Sequence, residues 1–190
     1  MNDAIVLGAL ALSAYLAGSV LWGDLISRHY GVDIWAMDTH NPGAGNVARS
    51  VGKAQAVAVY VADAMTAATV MLVAGALPQP EARIIAIAGI LLGTFFSLYR
   101  GFRGGIGLAK FMGLALAMNP AGFMLVAPLG ILAVAWLKNP GLAGGIVVAG
   151  TVLFSTLIYH DVPTLVLIAG AGITVWARSR MQARFVEGRP

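Results

Sequence analysis

The sequence predicts an all-α integral membrane protein: a seven-span helical bundle with its N-terminus outside, its C-terminus cytosolic, and two glycine-rich cytosolic loops. Three observations carry that expectation: the apolar composition, the length of the apolar runs, and the side on which the basic residues fall. Of the 190 residues, 59% are hydrophobic and only 11% charged. A soluble domain of this size has too little polar surface to cover so much apolar area. Hydrocarbon is the solvent that fits.

The apolar runs lie at 4–26, 55–77, 82–99, 106–118, 120–137, 141–159 and 163–178. Most reach the roughly 17–25 residues that a helix needs to cross a bilayer. The run 106–118 is short and Asn119-Pro120 separates it from the next, so it reads as a half-span or as an element buried against its neighbours. Pro128 should kink the fifth run. The first run carries Asp3 and no Lys or Arg ahead of it, and is too long for the apolar core of a cleaved leader, so it reads as a span.

Placing the N-terminus outside puts Arg28, Arg49, Lys53, Arg100, Arg103, Lys110, Lys138, Arg178, Arg180, Arg184 and Arg189 on the cytosolic side. Only Arg83 of the 12 basic residues is left outside. This is the positive-inside pattern, and it points to a multi-pass protein of the bacterial inner membrane. The formal charge of +4 then reflects orientation, so nucleic acid is not an expected partner. The absence of cysteine excludes disulfide, thiolate-metal and cysteine-nucleophile chemistry. No repeat or linker divides the chain, which reads as one domain over 1–190. Gly141, Gly144, Gly145, Gly150, Gly170 and Gly172 read as small residues that let helices approach closely.

The two loops hold the chemistry. "DTHNPGAGNVARSVGK" (38–53) and "YRGFRGGIGLAK" (99–110) are both glycine-rich, both contain arginine and both run into helices. Successive backbone N–H groups in such turns, aimed with a helix N-terminus, form an anion-binding concavity. Gly43 and Gly45 supply backbone freedom in the first loop, Asn41 and Asn46 amide donors, and Arg49 a cation. In the second, Gly104, Gly105 and Gly107 follow Arg103. Two such cradles at one leaflet suggest a phosphate-bearing ligand at the membrane surface. The bland alternative is a pair of ordinary turns with positive-inside anchors. No Walker pattern supports a nucleotide.

Together "YLAGSVLWGDLISR", "NPGAGNVARSVGK", "GFRGGIGLA" and "WARSRMQARFVEGR" resemble, collinearly over nearly the whole chain, the bacterial acyl-phosphate:glycerol-3-phosphate acyltransferases. The resemblance implies a seven-span enzyme that moves an acyl group from acyl phosphate to the 1-hydroxyl of glycerol 3-phosphate. It would make lysophosphatidic acid with no metal or organic cofactor. The expected partners are membrane lipids and a phosphate-bearing acyl substrate or phospholipid headgroup.

Several motif positions depart from that family. The first loop of the family reads approximately Gly-Ser-Gly-Asn-Pro-Gly-Ala-Thr-Asn; this chain has Thr39, His40 and Gly45 at the serine, second glycine and threonine. A second family motif places Lys-Gly three residues after an aspartate, where this chain has Asp63 followed by Thr66 and Ala67. Thr94 stands where the family has a histidine, Ile106 where it has a lysine, and Lys110 where it has a threonine. "PGLAGG" (140–145) lacks the family's serines.

Acyl transfer from a mixed anhydride needs a proton acceptor, oxyanion donors and cations for phosphate. Thr94 and Ile106 cannot supply a base or a cation. His40 could act as a relocated base, since imidazole changes charge near neutral pH, or simply make a turn hydrogen bond. Lys110, one helical turn after Ile106, could lean back toward the vacated place, or anchor at the interface. Asp63, lacking a lysine at 66, reads as a structural group that is protonated or bonded to a hydroxyl. Two functions follow: a catalytically eroded relative kept as a membrane subunit or anion-binding scaffold, or an acyltransferase working through His40 and Lys110. The anion-binding set is Asn41, Gly43, Asn46, Arg49, Arg103, Gly104, Gly105 and Gly107, with no metal ligands.

Overall fold

The computed structural model describes residues 2–137, 146, 149–151, 153–154 and 162–187, and every regular element among them is helical. The helices are α1 (Asp3–Ser19), α2 (Trp22–His29), α3 (Ala44–Ser50), α4 (Lys53–Gly75), α5 (Ala82–Phe95), α6 (Leu108–Met118), α7 (Pro120–Leu137) and α8 (Val162–Glu187). The expected sixth span and its glycines Gly141, Gly144 and Gly145 lie outside the described residues except for isolated positions. Among the described residues the stretches Asp3–His29, Lys53–Gly75 and Ala82–Arg100 are long and apolar enough to cross a membrane. Leu108–Met118 is shorter, as its sequence suggested. Large side chains such as Leu12, Val57, Leu72, Ile84 and Ile173 are exposed on the outer faces. That is the pattern of a protein whose surroundings are hydrocarbon.

The first apolar run does not form one helix. Asn2 caps α1 by accepting a hydrogen bond from Ala4 N at 3.2 Å, but the helix stops at Ser19, and Val20 and Leu21 are extended. The carbonyls freed at this break find side-chain donors. Lys110 Nζ donates to Gly18 O at 2.6 Å and Val20 O at 2.7 Å, and Ser97 Oγ donates to Ser19 O at 2.6 Å. An interrupted helix inside a membrane persists only where such partners replace its lost ladder. The ammonium also sits at the negative end of α1.

Glycine lets α5 press directly on α1. A Cβ at Gly18 would strike the backbone of Ile90, and one at Gly93 would strike the Tyr15 carbonyl. Gly93→Val should therefore lower the thermal unfolding midpoint in detergent by the equivalent of about 1–3 kcal/mol. Gly8→Val, where nothing lies within 4 Å, should leave it unchanged. On the other side α6 packs on α4, with Gly113 against the Ala64 backbone. Ile90, Phe111, Leu114, Val126 and Ile168 fill the core between these helices.

Two further boundaries depart from the apolar runs. α5 ends at Phe95 and a short 3-10 turn, Leu98–Arg100, completes the third run. α8 continues well past residue 178, because its polar end is held against the first glycine loop (below). α7 stays helical on both sides of Pro128.

Candidate anion-binding site

The two glycine loops meet. Ile106 N donates to Asn41 Oδ1 at 3.2 Å, and Gly105 lies directly against Asn41 and Pro42, leaving little room for a side chain. The second loop is pinned from beneath by Gly105 N donating to Thr94 O at 2.9 Å. Gly104 rests on the Thr94 and Phe95 carbonyls, which any Cβ would strike. Gly107 opens α6 at φ +84°, a conformation that disfavours residues with a Cβ.

The first loop is built from inside. The Asn46 amide, 2% exposed, donates to the carbonyls of Ile34, Met37 and Asn41 at 3.0–3.2 Å, while its oxygen accepts from Ser50. Ile34 and Val47, both fully buried, pack this loop onto Val59 of α4. Gln182 of α8 donates at 3.3 Å to the carbonyls of Thr39 and His40. The C-terminal helix thus closes over the loop from the far end of the chain.

Charge gathers beside the junction. Asp24, 3% exposed, accepts from Trp35 Nε1 at 2.6 Å and faces Arg28 and Arg100 at 3.3 Å each. Arg103 is exposed and lies over the Trp35 ring, 5.2 Å from its centroid, with no carboxylate partner among the described residues. Arg49 pairs with Asp38 at 2.5 Å on the exposed side of the loop.

The structure sorts the residues selected from sequence. Asn41, Gly43, Gly104, Gly105 and Gly107 converge at the loop junction, with Arg103 beside them; Gly43 lies against the Asn41 amide nitrogen. Arg49 is at the rim and already shares its charge with Asp38. Asn46 points inward, so its amide builds the loop and its hydrogens are taken. His40 adopts a positive φ of 50° and its Nδ1 contacts Trp35 O at 2.8 Å. A carbonyl can only accept, so that nitrogen carries a proton, which in the neutral ring leaves the lone pair on Nε2.

Lys110 is neither an interface anchor nor a residue leaning toward the loops. It is 1% exposed, and its ammonium donates to Gly18 O and Val20 O and lies 3.4 Å from the Asp63 carboxylate. Asp63 accordingly has a lysine partner after all, supplied by α6 instead of by position 66. Thr66 instead accepts from Trp22 Nε1 at 3.0 Å. Thr94 is buried and donates to Ile90 O at 2.6 Å and to Gly18 O at 3.3 Å. Ile106 packs against the core.

Asp24, Trp35 and Gln182 belong to the site and stand outside the set read from the sequence, as do Arg28 and Arg100. Asp24 did leave a signal, because a carboxylate within an apolar run is costly and marks a paired or functional position. Trp35 and Gln182 left none, since both act through contacts that only folding creates.

The profile of one protein family, described as glycerol-3-phosphate acyltransferase, matches residues 8–188. The chain belongs to the glycerol-3-phosphate acyltransferase family. A glycerol-3-phosphate acyltransferase of Jannaschia sp. is 38% identical over 118 residues, covering 62% of this chain and 58% of that protein. The matched stretch thus spans about three fifths of that relative. The Aquifex aeolicus enzyme is 29% identical over 185 residues, covering 95% of both chains. Among solved structures, the glycerol 3-phosphate form of PlsY (YgiH), an integral membrane glycerol 3-phosphate acyltransferase, superposes with a TM-score of 0.85. Its identity is 26%, over 97% of this chain and 94% of that one. The lysophosphatidic acid form gives a TM-score of 0.83 over 97% and 93%, again at 26% identity. This glycerol-3-phosphate acyltransferase family member therefore has an integral membrane fold, with its glycine loops joined at one end.

Proposed function

We propose that this acyltransferase-family protein binds a phosphate-bearing lipid or lipid precursor between its two glycine loops, and that its acyl transfer is eroded. One observation carries the reading: the polar groups at two departed positions, Thr94 and Lys110, are committed to the protein itself. The Thr94 hydroxyl donates into α5 and to Gly18, Lys110 is held inside the bundle by two carbonyls and the Asp63 carboxylate, and Ile106 packs against the core. The junction keeps backbone donors, the Asn41 amide and the exposed Arg103, which suit an anion. It lacks a cation at 106 and a base at 94. Removing a base or an oxyanion donor typically lowers a rate by about two to three orders of magnitude. Purified protein given palmitoyl phosphate and glycerol 3-phosphate should turn over orders of magnitude more slowly than the Aquifex relative assayed alongside. Comparable rates would overturn the eroded reading.

A second reading rests on His40. Its Nδ1–H is fixed on Trp35 O, so Nε2 is oriented as an acceptor within the first loop, the arrangement a general base needs. If appreciable turnover is found, His40→Ala should remove it and His40→Gln should not restore it. The role of a membrane subunit in a larger complex would be supported by a stoichiometric partner after mild detergent extraction, and refuted by recovery of the chain alone.

We infer further that the chain crosses the bacterial inner membrane seven times, with its N-terminus outside and α8 ending in the cytosol, from the distribution of basic residues. An alkaline phosphatase fused after residue 187 should be inactive in cells; periplasmic activity would reverse the topology.

A further inference from the structure

The cluster at the start of α2 has no part in the transfer chemistry considered above, yet it touches both loops. Asp24 is a buried carboxylate that holds the Trp35 indole by its N–H at 2.6 Å. The edge of the ring is thereby fixed and its face is left to the second loop. Arg103 takes that face at 5.2 Å and Arg100 at 5.9 Å. The backbone carbonyl of the same tryptophan receives His40 Nδ1 from the first loop. Residue 35 thus links a buried anchor to the arginines of the second loop and to the His40 ring of the first. Arg28 and Arg100 share the single Asp24 carboxylate and Arg103 has no carboxylate partner among the described residues, so the cluster carries excess positive charge.

We propose that Trp35, fixed by Asp24, is the positioning residue that holds Arg103, with Arg100 beside it, ready to receive a phosphomonoester at the loop junction. This rests on the anion-binding reading above. An arginine on an exposed loop samples many rotamers, and ordering it at the moment of binding weakens affinity. Stacked on an indole, the guanidinium is held flat with its N–H edge free for two parallel bonds to phosphate oxygens. A buried carboxylate in an apolar run persists when it is paired, and here two of its three partners, Trp35 and Arg100, lead back to the loops.

The test uses the full chain in detergent micelles, with glycerol 3-phosphate as a soluble probe and dodecyl phosphate as a lipid-like one. Calorimetry gives Kd, and the 15N-indole resonance of Trp35, assigned by its absence in Trp35→Phe, reports the site. Wild-type should bind at least one probe, which tells whether the phosphate arrives free or on a lipid. Arg103→Ala should weaken binding at least tenfold. Trp35→Ala and Asp24→Asn should each weaken it roughly tenfold, and Trp35→Phe, which keeps a ring face, by about threefold. The Trp35 resonance should shift on saturation.

Binding that depends on Arg103 but not on Trp35 or Asp24, with a resonance that stays in place, would overturn this proposal and leave the anion site standing. No binding of either probe by wild-type would overturn both. Should Trp35→Ala fail to fold, Trp35→Phe and the wild-type resonance decide the matter.

Discussion

Replacing Lys110 with methionine should destabilise the protein by about 3–5 kcal/mol, the usual effect of stranding one member of a buried ion pair. The ammonium does three things at one place. It neutralises Asp63 at 3.4 Å and satisfies the carbonyls of Gly18 and Val20 at 2.6 and 2.7 Å. A methionine of similar length fills the space but leaves the Asp63 carboxylate and the Val20 carbonyl without the ammonium, and the Gly18 carbonyl with only Thr94 at 3.3 Å, and each stranded group carries its own desolvation penalty. The break between α1 and α2 would lose its splint. Lys110→Met should appear as lost monodisperse protein in size-exclusion chromatography and a lowered unfolding midpoint. Adding Asp63→Leu should recover part of the loss by removing the stranded charge, and only part, because the Val20 carbonyl stays without its side-chain donor. A single mutant as stable as wild-type would show that the pair contributes nothing.

The second large effect concerns activity, and it follows from the same residue. Thr94 and Lys110 both reach the Gly18 carbonyl, so the two positions are neighbours across α5 and α6. The family motif carries a large residue at 94 and a small one at 110, and this chain carries the reverse. Position 66 is tied to them, because Lys110 supplies to Asp63 the lysine that the motif places at 66. The departures are therefore a coupled set and must be reverted together. Thr94→His with Ile106→Lys alone should yield little, because the new imidazole meets the Lys110 ammonium on one carbonyl, and Gly107 leaves scarcely any space beside Thr94. Adding Lys110→Thr and Thr66→Lys should raise turnover of palmitoyl phosphate and glycerol 3-phosphate by about two to three orders of magnitude, the worth of a restored base and cation. Equal rates for the double and quadruple variants would sink the coupling.

These two cases mark how far the residues could be read in order. Composition and apolar runs dictated a helical membrane protein, because lipid leaves the backbone few ways to satisfy its hydrogen bonds. Most helices accordingly lie where the runs do. The glycines at 104, 105 and 107 were legible as a constrained turn, since close approach and positive φ exclude side chains whatever surrounds them. The motifs likewise reached the family from sequence, being contiguous.

What the order of residues could not give was every pairing across distance. The 4–26 run is apolar throughout its break, so nothing in its periodicity marks Val20–Leu21; the interruption exists because Lys110 and Ser97, some ninety and eighty residues later, take its carbonyls. Lys110 itself looked like an interface cation, because a lone lysine beside a loop is indistinguishable in sequence from one buried on a carboxylate. Asn46 looked like a ligand for the same reason: an amide advertises its donors, and only the fold decides whether carbonyls of its own loop consume them. The chain by itself determined its solvent, its helices and its kinship. The tertiary structure decided which polar groups remain free to meet a ligand, because in a low-dielectric interior each must first find a partner within the protein.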